Sequence, residues 1–395
     1  MSLVPSLQRE ELYAVMERTD VAVMRAYGRS GSNFIHGLFD QHEEVALLPL
    51  YVNVYDFYTS EYTSLTPETY LNIFERNNPS LFDLSQGNFS SGFAEDAEIK
   101  NVSRIDFCDI FFSLCQIYGD CGRKEYFLLL HIAFFLLRGR SLEKLRLIFV
   151  NLHMFVTLVY KTKEQQRGTL SDQELTKFFQ DFPKAKFVAT MRDPLCYAET
   201  TFGFLSEGEK PGKSLRSYIF SSVWVWSLFY DIWDPHRPIF LLKLPDLHRH
   251  FDQVMQTLCA FLDVRYDPSF QEGTIFDNAT VNSSKKQGQV ANTANPHFVD
   301  WKGGILSEYQ ISILRFFFRE ILERFFPENA TRLHCVDYLR VGRFWLSAFL
   351  FPFETDSLRD FYYDTFQKIK RFPKSYCKIR KIRFLDMSRT KTYLS

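Results

Sequence analysis

Neither sign of charge is in excess in this chain. Lys and Arg number 47, Asp and Glu number 47, and the net charge is zero. A general nucleic-acid binder carries a basic surplus, so no nucleic-acid partner is expected. Paired cysteines are also lacking. The seven cysteines (Cys108, Cys115, Cys121, Cys196, Cys259, Cys335, Cys377) are odd in number and scattered, with no Cys-x-x-Cys. That spacing offers neither a disulfide framework nor a zinc site, and it suits a reducing, cytoplasmic compartment. Long apolar runs are missing too. Phe127–Leu137 and Phe344–Phe351 are the longest, and both fall short of the about 20 residues that span a bilayer. Both read as buried helices. Arg9, Glu10, Glu11, Glu17 and Arg18 crowd the first twenty positions, which is not the pattern of a secretory leader.

What is abundant is apolar and aromatic material: 42 Phe among 395 residues. This is ample for the core of one large α/β domain with additions, or of two domains. The order of elements favours a mostly parallel sheet flanked by helices. A helix is expected over 5–18 and a buried strand over 21–26. Thr66-Pro67-Glu68 opens a helix, with Pro at its first position. The polar stretch 77–103 reads as an irregular connection, and helices follow near 104–118 and 123–139. Strands are expected over 145–152, 186–191 and 239–243. Helices are expected from Ser171 to about Gln180, after Pro194, over 214–231, near 249–263 and near 306–325, with a polar loop at 271–297. Strand–helix alternation of this kind covers a parallel sheet on both faces.

The first strand runs into Gly28-Arg29-Ser30-Gly31-Ser32-Asn33-Phe34, and a helix follows. A strand, a tight loop of small residues and a helix start form a cradle for an anion, because the loop N–H groups converge. Arg29 adds a full charge on a planar donor fork. A Walker A loop would need Gly-x-x-x-x-Gly-Lys-Ser/Thr. Here the glycines are three apart, and Asn33 stands where a Ser or Thr would hold magnesium. The cradle therefore suits a phosphate-like group without a metal. His153 and Arg192 close two other strands. Ligands of parallel sheets bind at the carboxyl ends of strands, so the loop, His153 and Arg192 should share one rim.

At this point the residues resemble sulfotransferases that use 3′-phosphoadenosine 5′-phosphosulfate (PAPS). The loop 28–34 is similar to the family's 5′-phosphosulfate loop. Phe187-Val188-Ala189-Thr190-Met191-Arg192-Asp193-Pro194 is similar to its strand ending in Arg-Asp-Pro. Lys243-Leu244-Pro245-Asp246-Leu247 with Leu258–Leu262 is similar to a structural segment, and Asp300-Trp301-Lys302-Gly303-Gly304 to a late Trp-Lys region. The resemblance covers about 20 to 325. It implies a P-loop-like sulfotransferase fold, PAPS as co-substrate and no metal; a P-loop-type phosphotransferase and a non-catalytic nucleotide-binding protein are the competing readings. It implies that Gly28, Arg29, Ser30, Gly31, Ser32, Asn33 and Phe34 hold the phosphosulfate. Arg192 and Thr200, eight residues on, would hold the 3′-phosphate, and Lys285 and Lys286 could close over it. Asn33 departs from the family's Ser or Thr.

The acceptor hydroxyl needs a general base. His153 is the first choice, with Arg29 stabilising charge on the sulfuryl and bridging oxygens. Glu61 or Asp56 would serve if the base comes from the region after the first helix, and a buried, backbone-bonded His153 is the competing assignment. His42 reads as structural and His36 as a helix-face residue. Trp224 and Trp226 read as core. Tyr51, Tyr55, Phe57 and Tyr58 suit an acceptor cleft for a carbohydrate or glycolipid, though equally a phenol. The chain divides into 1–330, a sulfotransferase domain with a helical insertion at about 50–145, and 331–395, a basic and aromatic extension read as helical. Lys368, Lys370, Arg371, Lys374, Lys378, Arg380, Lys381 and Arg383 crowd that tail. Packing on the domain and peripheral contact with an anionic membrane are its two readings.

Overall fold

The computed structural model describes residues 7–27, 31–49, 65–85, 98–154, 172–207, 239–267, 270, 272–280, 293–296, 303–341 and 384–385. Their elements run α1 (Arg9–Arg18), β1 (Asp20–Tyr27), α2 (Ser32–Leu38), β2 (Val45–Ala46), α3 (Pro67–Asn77), a 3-10 turn at Pro79–Leu81, α4 (Arg104–Tyr118), α5 (Arg123–Leu137) and β3 (Leu147–Met154). Then follow α6 (Asp172–Asp181), β4 (Lys186–Met191), α7 (Pro194–Glu207), β5 (Ile239–Lys243), α8 (Leu244–Arg249), α9 (Phe251–Leu262), β6 (Thr274–Ile275), β7 (Asn278–Ala279), α10 (Glu308–Phe325) and β8 (Phe384–Leu385).

Six strands form one sheet in the order β2-β3-β1-β4-β5-β8, and each neighbouring pair is parallel. Alternation along each strand sorts its side chains between two cores. Ala22, Met24, Leu147, Phe149, Val188, Phe240 and Leu242 pack with α2 and α9. Val21, Val23, Ile148, Val150, Phe187, Ala189, Ile239 and Leu241 pack on the other face with α1, α4, α5 and α10. Strands buried on both faces explain why Val21–Met24 of β1 reads as an unbroken apolar run. The helices of the stretch expected as an insertion share this second core: Phe74, Phe107, Phe111, Phe127 and Phe134 are all buried in it.

Local sequence explains the helix starts. Thr66 Oγ1 accepts from Thr69 N at 3.2 Å, with Pro67 at the first position of α3. Ser103 accepts from Asp106 N at 3.4 Å. Ser307 and Gln310 form a reciprocal capping box on α10, satisfying two donors that a helix start leaves open.

The helix near 249–263 is α9. Some details differ from expectation. A short helix, α8, precedes α9, and His250 (φ −129°, ψ 46°) leaves the helical region between them. The polar loop at 271–297 contains the hairpin β6–β7. With two residues per strand it offers no period to read, and its turn puts Phe276 and Asp277 at φ 49° and 61°, as a two-residue hairpin of right-handed strands demands. The extension at 331–395 is helical over 335–341, as read from the sequence, and it also supplies the edge strand β8, where Ile239 and Phe240 face Phe384 and Leu385.

The hairpin is fastened to the sheet by a buried ion pair. Arg138, just past α5, meets Asp40, just past α2, at 2.7 Å, with side chains 3% and 1% exposed. Asp40 Oδ2 also accepts from Thr274 Oγ1 at 2.8 Å and from Asp277 N at 2.9 Å. Arg138 reaches Asp277 as well. Gly37 of α2 lies so near the hairpin that a Cβ there would stand 2.9 Å from the Thr274 carbonyl oxygen.

Candidate functional site

The chain leaves β1 toward one edge of the sheet, through α2 to β2, and returns as β3 beside β1. It then crosses to β4 on the other side. Connections that part in opposite directions open a crevice at the carboxyl ends of β1 and β4, where parallel sheets take their ligands. The strand ends around it are level. Ala26 faces His153 and Tyr27 faces Met154. Arg25 faces Ala189, so Tyr27 continues that register to Met191, which in turn faces Lys243. The backbone thus brings the start of the loop, His153, Arg192 and Lys243 to one rim.

Of the loop, Gly31 onward is described. Gly31 adopts φ 82°, ψ 10°, a left-handed conformation that glycine takes without steric cost. A Cβ there would lie 2.4 Å from Leu244 Cδ1, so the loop and the first residue of α8 are in close contact. Its carbonyl accepts from Ile35 N at 3.1 Å, starting α2. Ser32 is buried, and its hydroxyl lies 3.5 Å from Asn33 Oδ1. Phe34 is core, stacked on His248 with ring centroids 5.2 Å apart. Any ligand contact of Phe34 would therefore run through its N–H.

Arg192 follows β4 and is half-buried. Its neighbour Asp193 is wholly buried and structural. One carboxylate oxygen caps α7, accepting from Leu195 N at 2.6 Å and Cys196 N at 3.3 Å. The other accepts from Asn329 Nδ2 at 2.8 Å, beyond α10. The Arg-Asp-Pro sequence thus places Arg192 at the rim through a cap that its own Asp supplies. Thr200, two turns along α7, donates its hydroxyl to the Cys196 carbonyl at 2.8 Å, so an anion at Thr200 would have to draw that proton away.

Among the other expected residues, Gly28, Arg29, Ser30, Lys285, Lys286, Asp56, Glu61, Trp224 and Trp226 lie outside the described residues, as does the side chain of His153. His42 is held structurally: Glu44 N donates to its Nδ1 at 3.0 Å, and its Nε2 meets the Arg265 carbonyl at 2.8 Å. Burial lowers its pKa. His36 is buried in the same way, and burial pulls its pKa to about 4 against a hydrogen bond to the Phe149 carbonyl. Among the described residues no three His, Cys, Asp or Glu groups gather as a metal site, and no helix is long and apolar enough to cross a membrane.

Two groups near the rim escaped sequence reasoning. Asn151 of β3 is 7% exposed, and neither its Oδ1 nor its Nδ2 has a hydrogen-bond partner. Its alternation with Phe149 puts it on the α2 face. From the His36–Phe149 contact, four helical residues lead up to Ser32 and two strand residues to Asn151. At about 1.5 and 3.3 Å per residue both rise about 6 Å, so Asn151 stands level with the first turn of α2. Its only sequence signal is a polar residue inside an apolar strand. Glu199 of α7 is also buried, and its carboxylate accepts from Gly303 N at 3.3 Å and Ile305 N at 3.0 Å. It fastens the turn of the Trp-Lys-Gly-Gly segment beside Thr200. Gly303 and Gly304, at φ 69° and 111°, are the signal for that turn.

No family model matches the chain, and no curated protein matches it. Solved structures similar to it include a sulfotransferase domain from the curacin biosynthetic pathway, 12% identical, covering 77% of this chain and 98% of that one at a TM-score of 0.40. Another is the sulfotransferase domain of the Synechococcus PCC 7002 olefin synthase, 13% identical over 83% and 95% at a TM-score of 0.37. A sulfotransferase from Mycobacterium avium is 12% identical over 80% of each chain at a TM-score of 0.34.

Proposed function

We propose that this chain is a sulfotransferase that moves the sulfuryl group of PAPS to an acceptor hydroxyl. One observation carries the proposal: the flush ends of β1, β3 and β4, which bring a loop without the Walker Lys, His153 and Arg192 to one crevice. Sulfuryl transfer is an in-line displacement, so positioning and charge stabilisation do most of the work. In this reading the N–H groups of residues 30–33 hold the 5′-phosphate. Arg29 stabilises charge on the bridging and sulfuryl oxygens. Arg192 and Thr200 hold the 3′-phosphate, with Lys285 and Lys286 closing over it. His153 takes the proton of the acceptor hydroxyl as its oxygen bonds to sulfur and the sulfur–phosphate oxygen bond breaks. Adenosine 3′,5′-bisphosphate leaves, and no step calls for a metal.

The acceptor we favour is a carbohydrate or glycolipid, on the strength of the aromatic stretch at 51–58. We place the catalytic unit at 1–330 and assign the basic residues of 331–395 to packing or to peripheral contact with an anionic membrane. A cytoplasmic setting agrees with the six described cysteines, all of them free. Calorimetry with adenosine 3′,5′-bisphosphate tests the proposal. Binding is expected, weakened in Arg192→Ala and kept in His153→Ala, whose turnover should fall about 10²-fold or more. No binding at millimolar nucleotide would sink it.

A further inference from the structure

Two of the cysteines meet at the corner between α4 and α5. Cys115 lies in the last turn of α4. Gly119, at φ 97°, ends that helix, and its N–H donates to the Cys115 carbonyl at 2.9 Å. Residues 119–122 then turn the chain into α5 as an αα-hairpin, which folds Cys121 back on α4. The Cys115 and Cys121 thiols are hydrogen-bonded to each other. Their exposures differ: Cys115 is 3% exposed, and Cys121 is half-buried. A buried thiol keeps its proton, so Cys115 donates and Cys121 accepts. That bond lowers the Cys121 pKa, against burial and the Glu125 and Asp120 carboxylates nearby. It raises that of Cys115, and burial adds to the rise. Cys121 also stands directly before the N-cap of α5, a helix of 15 residues, where the macrodipole favours a thiolate. Other cysteines go the opposite way. Burial and Glu75 push Cys108 up to about 11, and burial pushes Cys259 up to about 12. Cys108 lies two turns before Cys115 on α4, about 10 Å along the axis, out of reach of Cys121. A half-exposed thiol with thiolate character, set against a second thiol, is the arrangement of oxidant-reactive pairs.

We propose that Cys121 and Cys115 form a reversible oxidation site, in which Cys121 meets a peroxide and Cys115 resolves the product. The Cys121 thiolate attacks one peroxide oxygen and the O–O bond breaks. Cys121 becomes a sulfenic acid, and the other oxygen leaves as hydroxide and takes up a proton to become water. The Cys115 sulfur then attacks the sulfenic sulfur. The S–O bond breaks, and the departing hydroxide leaves with the Cys115 proton as a second water. The product is a Cys115–Cys121 disulfide, which a thiol reductant such as glutathione returns to two thiols by exchange. A disulfide of a cytosolic protein is typically transient and redox-sensing, in keeping with the free thiols of both residues. Once formed, it closes the corner between α4 and α5 covalently. The inference is independent of the sulfotransferase reading and gives the helices of the expected insertion a chemistry of their own.

The test is peptide mass spectrometry on the full chain, treated with hydrogen peroxide and then alkylated. No Lys or Arg lies between Ile105 and Gly122, so trypsin releases Ile105–Arg123 with Cys108, Cys115 and Cys121 on one peptide. After peroxide this peptide should lose two hydrogens and carry an alkyl group at Cys108 alone. The exposed Cys335 should still alkylate at that dose, and a reductant should restore alkylation of Cys115 and Cys121. Cys115→Ala should leave the sulfenic acid on Cys121, where dimedone traps it. Cys121→Ser, at a half-buried position, should abolish the disulfide and keeps the proposal testable if Cys115→Ala does not fold. Full alkylation of the wild-type peptide, a disulfide that joins other cysteines, or oxidation of Cys335 ahead of the pair would overturn the assignment. So would a Cys115→Ala protein without dimedone on Cys121.

Discussion

Two imidazoles sealed in the fold should make this protein acid-sensitive well above the carboxylate range. His36 and His131 are 2% and 1% exposed. Burial holds each at a pKa of about 4, against an ordinary 6.5. His131 Nδ1 donates to the Phe127 carbonyl at 2.8 Å within α5, and His36 bonds the Phe149 carbonyl, so both are satisfied only as neutral rings. The unfolded chain takes up these protons first. Stability is therefore full above pH 6.5 and falls as pH drops from there toward 4. At pH 5 an unfolded imidazole is almost wholly protonated and a buried one about a tenth, a difference worth about 2 kcal/mol per residue. The pair should cost about 4 kcal/mol between pH 7.5 and 5, a large share of the stability of a domain. Urea unfolding at the two pH values measures it. His131→Leu, which suits its apolar helix, should remove about half of the loss. A loss under about 1 kcal/mol, or an unchanged loss in His131→Leu, would refute the placement of these rings as buried and neutral.

Asp40→Ala should destabilise by about 3–5 kcal/mol, because it removes the buried partner of Arg138 and leaves it only the half-exposed Asp277 carboxylate; thermal melting reads this, and a change under about 1 kcal/mol would show that Asp277 alone satisfies Arg138. Gly31→Ala forces a left-handed backbone on a residue with a Cβ and pushes Leu244 aside. Nucleotide affinity by calorimetry should fall with stability, and a variant indistinguishable from wild type in both would show that the loop is not so constrained. Asn151→Leu removes two buried polar atoms that lack partners and should raise the urea midpoint by the equivalent of about 1–3 kcal/mol; a lower midpoint would show that the amide is satisfied in solution.

The sheet was legible because its strands obey simple rules. Val21–Met24, Phe187–Ala189 and Ile239–Leu242 are apolar without a break, as strands covered on both faces must be. The helices expected near 104–118 and 123–139 form at Arg104–Tyr118 and Arg123–Leu137. Shorter elements were not legible. The hairpin at 274–279 has too few residues for a period, and its turn is set by distant partners: Asp40 holds the Asp277 N–H, and Arg138 lies over the Phe276 ring at 5.7 Å. The break at His250 leaves no Pro or Gly in the sequence to mark it. The pairing of β8 with β5 joins segments nearly 150 residues apart, a contact that no local pattern encodes.

The candidate site divides along the same line. Residues that define the rim through topology, His153 and Arg192 among them, could be placed from sequence because a parallel sheet gathers its strand ends on one edge. The groups that tune the rim depend on side-chain packing. Glu199 reads as an ordinary helix residue until the turn at 303–305 is laid on it, and Asp193 reads as part of a motif until its carboxylate is seen capping α7 and holding Asn329.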